Sequence, residues 1–241
     1  MQRKATLPLL ILSSLLLINP AAAEGTETDA NIITGLDISD SISTVETQLQ
    51  VDGMARAIRD PEILAAIHRG QHQRIGFAVY AWADGDYPVL VSWRSIESEA
   101  DARAASEEMV ARLKALTESS TTLVGSLTDI SAAMGYGLAM LGEAPFATDR
   151  EVLNIIGNGE DNVGEDPKRA RDGLVAQGVT INGVVLGNNP ALLEYYRHQV
   201  IGGPSAFVMP VNNADSMTEV FARKFVSEIV MNIEAVDRGH R

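Results

Sequence analysis

The sequence contains no cysteine among its 241 residues. Disulfide bonds, a lipid attached to an N-terminal cysteine and a cysteine-ligated zinc are therefore excluded, so the fold must be stabilised by burial of a core. Positive charge is also scarce, with 19 Lys and Arg against 32 Asp and Glu and a formal net charge of -13. Nucleic acid and anionic lipid repel a chain of this charge, so we exclude both as partners.

Long apolar runs are missing from all of the chain except its N-terminus. There, Arg3 and Lys4 precede an apolar segment from Leu7 to Ile18, and a run of alanines ends at Ala23. A basic start, a short apolar segment and small residues are typical of a signal peptide, whereas a membrane-spanning helix needs about 20 apolar residues. We therefore predict cleavage after Ala23 and a periplasmic or secreted mature chain without a membrane span. Loss of Arg3 and Lys4 takes the net charge from -13 to -15.

Beyond the signal peptide, apolar runs rich in β-branched residues alternate with segments of helical period. This alternation is typical of an α/β domain with a doubly wound, Rossmann-like and mostly parallel sheet. We predict six strands, at 32–38, 74–82, 87–93, 151–157, 179–186 and 206–211. The link Asp84–Asp86 between the second and third strands is too short for a crossover helix, so these two strands are predicted to be antiparallel, with the third at an edge.

The domain organisation follows from the same pattern. We predict a signal peptide over 1–23, a polar lead-in over 24–30, one α/β domain over 31–236 and a flexible tail over 237–241. Capping boxes at Ser43–Glu46 and Ser216–Glu219 predict the starts of two helices.

Oxygen-bearing side chains follow the first predicted strand. Asp37, Ser39 and Ser41 are spaced by two, so in an extended turn their side chains can converge on one side. Thr128, from a neighbouring loop, would add a hydroxyl. Ligands of open α/β sheets bind beyond the carboxyl ends of the strands, and one carboxylate with several hydroxyls suits magnesium, manganese or calcium better than zinc.

This arrangement resembles the metal-ion-dependent adhesion site (MIDAS) of the von Willebrand factor A (VWA) domain, written Asp-x-Ser-x-Ser with a distant Thr and a later Asp. The resemblance implies a VWA-like fold and a divalent cation, Mg²⁺ first and Mn²⁺ or Ca²⁺ otherwise. Thr121 and Thr122 are alternatives for the distant threonine. The implied metal ligands are Asp37, Ser39, Ser41, Thr128 and Asn158.

A closer resemblance, from about Ile32 to Ile229, is to an exported bacterial family of this fold whose function is unknown. It rests on the strings Tyr80-Ala81-Trp82, Gly178–Gly183, Tyr195-Tyr196-Arg197 and Val200–Pro204.

The chain departs from that family at two positions of the implied site. Asp40 stands where the family usually has Gly, and Asn158 stands where it usually has Asp. The second departure removes a negative charge, which Asp40, Glu160 or Asp161 are candidates to restore. With Asp37 as the only anionic ligand, a divalent cation keeps about one unit of positive charge with which to attract a carboxylate.

We predict from this an exported binding or adhesion-type module whose cation binds an acidic residue of a partner protein. A metal-dependent hydrolase is one alternative, although the sequence has no Gly-x-Ser-x-Gly elbow and no phosphate-cradling loop. A metal-free interaction scaffold, in which Asn158 marks a degenerate site, is the other.

Three further motifs have two interpretations each. Residues 157–164 form either a calcium loop or a solvated turn, and the EF-hand spacing is absent. His68 and His72 are either a zinc pair or surface histidines, and the latter is favoured because Gly70 lies between them. Tyr195, Tyr196 and Arg197 form either a recognition patch or the anchor of their helix.

Overall fold

The computed structural model describes residues 25–83, 85–118 and 127–239, so the predicted signal peptide lies outside the described residues. In this part of the chain the strands belong to a six-stranded sheet and a two-stranded ribbon. The strands are β1 (Thr26–Glu27), β2 (Asn31–Asp37), β3 (Ile75–Trp82), β4 (Val89–Ile96), β5 (Phe146–Ala147), β6 (Glu151–Gly157), β7 (Thr180–Leu186) and β8 (Val208–Val211).

Helices cover both faces of the larger sheet. They are α1 (Thr44–Ala57), α2 (Pro61–Ile67), α3 (Glu99–Glu118), α4 (Ile130–Gly142), α5 (Pro167–Val175), α6 (Pro190–Tyr195) and α7 (Met217–Gly239). A π-helical turn, Tyr196–Val200, follows α6, and a 3₁₀ turn, Ala214–Ser216, precedes α7. No helix in the described residues is long and apolar enough to cross a membrane.

The strand order of the larger sheet is β4-β3-β2-β6-β7-β8. All neighbouring strands are parallel except β3 and β4, which are antiparallel, with β4 at the edge. The six predicted strands and the antiparallel edge pair are thus confirmed. The chain runs outward from β2 in one direction and from β6 in the other, so the loops after these two central strands diverge. Such a point is where ligands of open α/β sheets bind.

The core consists of two apolar layers, one on each face of the sheet. One layer packs α1, α2, α3 and α7 against side chains such as Ile32 and Leu36, and the other packs α4, α5 and α6 against Ile33 and Tyr80. Every residue of β2 and β3 is buried, because helices cover both of their faces. A polar side chain on these strands therefore enters an apolar environment.

The helix starts follow local capping chemistry, with one exception. The Ser43–Glu46 capping box is present and begins α1. The prediction of a Ser216–Glu219 capping box is wrong, because the Ser216 N–H that Glu219 would accept donates to Asn213 Oδ1 at 3.0 Å, within the 3₁₀ turn. Asp129 caps α4 by accepting the Ala132 N–H at 2.8 Å, which leaves Thr128 in the loop before that helix.

Candidate metal centre

The predicted ligands lie at the carboxyl ends of the two central strands. Asp37 is the last residue of β2, and Asn158 follows the last residue of β6. The pairing of Leu36 with Ile156 places the ends of these strands side by side. Ser39 and Ser41 follow in the turn that leads to α1. The parallel pairing therefore brings two loops that are distant in sequence to one edge of the sheet.

The structure brings all five predicted site residues together. The hydroxyl oxygens of Ser39 and Ser41 are 3.1 Å apart, and the Ser41 hydroxyl donates to Asn158 Oδ1 at 2.7 Å. The Thr128 hydroxyl donates to Ser39 Oγ at 3.4 Å, and Asp37 Oδ1 accepts the Ser39 N–H at 2.8 Å. We call Asp37, Ser39, Ser41, Thr128 and Asn158 the oxygen cluster.

Asp37 is the cluster's only carboxylate, and it is completely buried. Burial raises the pKa of Asp37 above its ordinary value, while the hydrogen bond from Ser39 and the nearby backbone of Asn158 act in the opposite direction. Its Oδ2 atom is buried and has no hydrogen-bond partner among the described residues. Because an unpaired buried carboxylate oxygen is costly, this set of oxygens fits a hard cation.

Asn158 connects the two loops in a way that a carboxylate does not. Its amide oxygen accepts the Ser41 hydroxyl, and its amide nitrogen donates to the Ser41 carbonyl at 3.0 Å. An aspartate lacks the N–H for the second bond. Compared with an aspartate, the Asn158 amide therefore has no negative charge but forms a second hydrogen bond between the loops.

Thr128 is held in the cluster by its own backbone. Its N–H donates to Asn162 Oδ1 at 2.9 Å, and its carbonyl accepts the Asn162 N–H at 3.0 Å. The side chain is 4% exposed. The alternatives Thr121 and Thr122 lie outside the described residues.

None of the three candidates for the missing charge forms a hydrogen bond with the oxygen cluster in the described structure. Asp40 and Glu160 are exposed. Asp161 accepts the Ile130 N–H at 2.6 Å, and burial raises the pKa of its carboxyl to about 6. Nor do the described residues contain a metal-binding group of three His, Cys, Asp or Glu side chains. A cation at the cluster would thus rely on hydroxyl and amide oxygens around one carboxylate.

The calcium-loop and zinc-pair interpretations are not supported by the contacts of these segments. Within 157–164, Asp161 and Asn162 accept backbone N–H groups of the loop before α4 and of its first residue. His68 Nε2 lies 3.0 Å from the carbonyl of Glu97, whereas His72 Nδ1 lies 3.5 Å from the Glu27 carboxylate. The loop is therefore a capping turn, and the two histidines have separate partners.

The tyrosine motif contains one residue, Tyr196, whose proximity to Asp37 the sequence did not predict. Tyr195 accepts the Asp161 N–H at 3.1 Å, and Arg197 pairs with Glu194. Tyr196 instead is completely buried, and its hydroxyl lies close to Asp37. No local sequence pattern indicates this proximity. It depends on two glycines on different strands, which leave room for the Tyr196 ring.

Comparisons with known proteins bear on both the family and the fold. The family described as "Protein of unknown function (DUF1194)" matches residues 27–233. No curated protein sequence matches the chain.

Solved structures of other proteins share the fold at low sequence identity. Proximal thread matrix protein 1 (PTMP1) from the mussel byssus has a TM-score of 0.59 at 17% identity, over 86% of this chain and 49% of that one. A further PTMP1 structure, described as having a zinc occupied MIDAS motif, has a TM-score of 0.54 at 15% identity, over 85% and 48%. The von Willebrand factor type A structure from Catenulispora acidiphila has a TM-score of 0.56 at 18% identity, over 85% and 43%.

A fourth similar structure is the pilus adhesin SpaC from Lactobacillus rhamnosus GG, with a TM-score of 0.58 at 10% identity, over 87% of this chain and 32% of that one. The chain spans about half the length of these proteins or less. The fold is thus VWA-like, as the resemblance predicts.

Proposed function

The chain belongs to the DUF1194 family of proteins of unknown function, and we propose that it is a binding module that holds a divalent cation at the oxygen cluster and, through it, an acidic group of a partner protein. The observation that carries this proposal is the cluster of five oxygen-bearing side chains from three loops, one of which is the buried carboxylate of Asp37. The name of the zinc-containing PTMP1 structure supports a cation in this type of fold.

The residues of the cluster have different parts in holding the cation. Asp37 supplies the negative charge, and Ser39, Ser41 and Thr128 supply hydroxyl oxygens. Such ligands suit Mg²⁺, Mn²⁺ or Ca²⁺, and Mg²⁺ is our first choice. The cation would supply a positive charge that one carboxylate neutralises only by half.

The surroundings of the cluster favour an anionic group as the remaining ligand. A doubly charged ion beside one carboxylate keeps a net charge of about one unit. The N-terminus of α1, capped by Ser43, lies two residues beyond Ser41 and contributes the positive end of its dipole. A carboxylate of a partner protein is the group that this charge selects.

The direct test is calorimetric titration of the chain from Glu24 onward with MgCl₂. We expect saturable binding that Asp37→Asn abolishes. Asp40→Asn is the matched control, because it removes the same charge three residues away on an exposed side chain. Absence of binding in the unaltered chain, or equal loss in both variants, would contradict the proposal.

Capture of a carboxylate is tested separately on the Mn²⁺-loaded protein. Acetate that coordinates the bound ion displaces water from it, so the longitudinal relaxivity of water protons should fall in a saturable way. Chloride at the same ionic strength is the control. If acetate leaves the relaxivity unchanged, the proposed cation site still stands, but the proposed binding of a partner's carboxylate is excluded.

A metal-free scaffold is the second candidate function, and the Asn158 amide is the observation that favours it. The two bonds between Asn158 and Ser41 join the loops without an ion. If this scaffold is the function, no divalent cation shifts the thermal unfolding midpoint. A cation-dependent rise in that midpoint, absent in Asp37→Asn, would exclude the scaffold.

We place the binding module outside the inner membrane, as a domain over 31–236 that follows a cleaved signal peptide. The basic and apolar N-terminus supports this location. The name of the similar SpaC structure, a pilus adhesin, agrees with it. Mass spectrometry of the protein recovered from a periplasmic extract should give a chain that begins at Glu24, and a mature chain that retains Met1 would contradict the proposal.

A further inference from the structure

Several buried polar atoms of the described residues have no hydrogen-bond partner, and three of them belong to Asp37, to its register partner Trp82 and to Tyr196. These three atoms are Asp37 Oδ2, the Tyr196 hydroxyl and Trp82 Nε1. Trp82 is the register partner of Asp37 on β3, so both side chains lie on the same face of the sheet. Buried polar groups nearly always have a hydrogen-bond partner. An unpaired acceptor and unpaired donors on neighbouring residues therefore require an explanation.

Tyr196 reaches this place because two strands carry glycine under its ring. A Cβ atom on Gly183 would lie 2.9 Å from the ring atom Cδ1. A Cβ atom on Gly157 would lie 2.7 Å from the Tyr196 hydroxyl and 2.9 Å from Asp37 Oδ2. The hydroxyl and the carboxylate oxygen therefore flank the small space that the missing Gly157 side chain leaves.

The backbone at Tyr196 departs from regular α-helix at the same position. The π-helical turn begins there, and the Ile201 N–H donates to the Tyr196 carbonyl at 2.9 Å. Single π-helical turns within helices are found frequently at functional sites. Burial raises the pKa of Tyr196 well above its ordinary value, so the phenol keeps its proton and remains a donor.

We propose that Tyr196 is a positioning residue, whose hydroxyl donates to Asp37 Oδ2 and holds the carboxylate in the orientation that receives the cation. A small side-chain rotation or one bridging water joins the two oxygens across the space above Gly157. A carboxylate oxygen has two lone pairs, so this bond leaves one free for an ion. The role toward the cation rests on the proposed function, whereas the hydrogen bond itself does not.

The cation arm of the test compares two buried tyrosines. Tyr196→Phe should weaken Mg²⁺ binding about tenfold or more, the range found when a group that orients a metal ligand is removed. Tyr80→Phe is the matched control, because Tyr80 is equally buried and its hydroxyl donates to the Ala133 carbonyl at 2.7 Å. That variant also loses a buried hydroxyl, yet its Mg²⁺ affinity should stay within about twofold of the unaltered protein.

The second arm works without metal and therefore does not depend on the proposed function. A double-mutant cycle of Tyr196→Phe with Asp37→Ala, followed by urea unfolding in EDTA, should show a coupling of about tenfold in the unfolding equilibrium constant, as expected for a hydrogen bond to a charged group. Asp37→Leu, which is close in size to aspartate and has no acceptor atom, takes the place of Asp37→Ala if the alanine variant does not fold. The cycle of Tyr80→Phe with Asp37→Ala should show no coupling.

The two arms separate the possible failures. If the unaltered protein binds no cation, the proposed function fails and the metal-free cycle still decides the Tyr196 assignment. Independent effects of Tyr196→Phe and Asp37→Ala in the cycle would overturn the assignment. So would a Tyr196→Phe variant that binds Mg²⁺ as tightly as the unaltered protein does.

Discussion

Among the residues whose burial the structure describes, two carboxylates are completely buried, and their surroundings differ. Glu228 on α7 accepts the Asn182 amide at 2.7 Å through Oε1 and the Lys224 ammonium at 3.0 Å through Oε2. Asp37 at the end of β2 has one oxygen bonded to the Ser39 N–H and the other without a partner in the described structure. The fold thus satisfies both oxygens of one buried carboxylate and leaves the other carboxylate incompletely hydrogen-bonded among the described residues, a difference that the proposed cation site would explain.

The largest expected effect comes from breaking the satisfied pair. Lys224→Met leaves Glu228 buried without its cation, which should lower the free energy of unfolding by about 3–5 kcal/mol. Urea unfolding measures this loss. The double variant Lys224→Met/Glu228→Leu removes both charges and should recover most of it. If the single variant is as stable as the unaltered chain, the buried pair is not what satisfies Glu228.

Restoring the carboxylate that the family usually has at position 158 should strengthen cation binding at the oxygen cluster. Asn158→Asp adds a negative charge close to Asp37, which should raise Mg²⁺ affinity about tenfold. It should also lower metal-free stability by about 1 kcal/mol, because the bond to the Ser41 carbonyl is lost. Calorimetric titration and urea unfolding give the two values. Asn162→Asp in the same loop is the control. An equal gain in Mg²⁺ affinity in that variant would show that any added negative charge in the loop has this effect.

Neutralising the incomplete carboxylate should cost little stability. Asp37→Asn removes a buried charge and keeps an amide oxygen that still accepts the proposed Tyr196 hydrogen bond, so metal-free stability should stay within about 1 kcal/mol of the unaltered value or rise. The same variant should lose all stabilisation by Mg²⁺. Thermal unfolding with and without 5 mM MgCl₂, roughly a saturating excess for a site of micromolar affinity, measures both effects. A loss as large as that of Lys224→Met would show that Asp37 is structural.

The smallest effect concerns pH and the half-buried Asp161. Its pKa is raised to about 6 in the folded chain, so near pH 5 the folded state binds more protons than the unfolded state. Its contribution to stability is therefore present at low pH and is lost as pH rises from about 4 to about 6. Urea unfolding in EDTA across this range should show the decline, and Asp161→Asn should flatten it. A slope that the variant leaves unchanged would assign the pH dependence to other groups.

The parts of the fold and site that the sequence predicts are those that follow from local pattern. Alternating apolar runs and helical segments predict the strands, and the short Asp84–Asp86 link predicts the antiparallel edge. The spacing of Asp37, Ser39 and Ser41 places three oxygens on one side of a turn. Thr128 is predicted from its position in a neighbouring loop and Asn158 from the resemblance to a known family, whereas the contacts between them and the first loop depend on how the strands are ordered.

The features that the sequence did not predict depend on neighbours that are distant along the chain. Lys224 and Glu228 are four residues apart, a spacing typical of exposed pairs on a helix, and only the packing of α7 on the sheet buries them. Tyr196 lies close to Asp37 because Gly157 and Gly183 lie beneath its ring on two different strands. Ser216 and Glu219 have the spacing of a capping box, but Asn213 accepts the Ser216 N–H in place of Glu219.

The central claim is that the incomplete carboxylate of Asp37 belongs to a cation site. Anomalous diffraction from a crystal of the chain from Glu24 onward, soaked in MnCl₂, tests this claim most directly. We expect one strong anomalous peak among Asp37, Ser39, Ser41, Thr128 and Asn158, and no such peak in a crystal of Asp37→Asn. A cluster without a peak at saturating Mn²⁺, with the Ser41–Asn158 hydrogen bonds intact, would contradict the claim and leave the metal-free scaffold as the function.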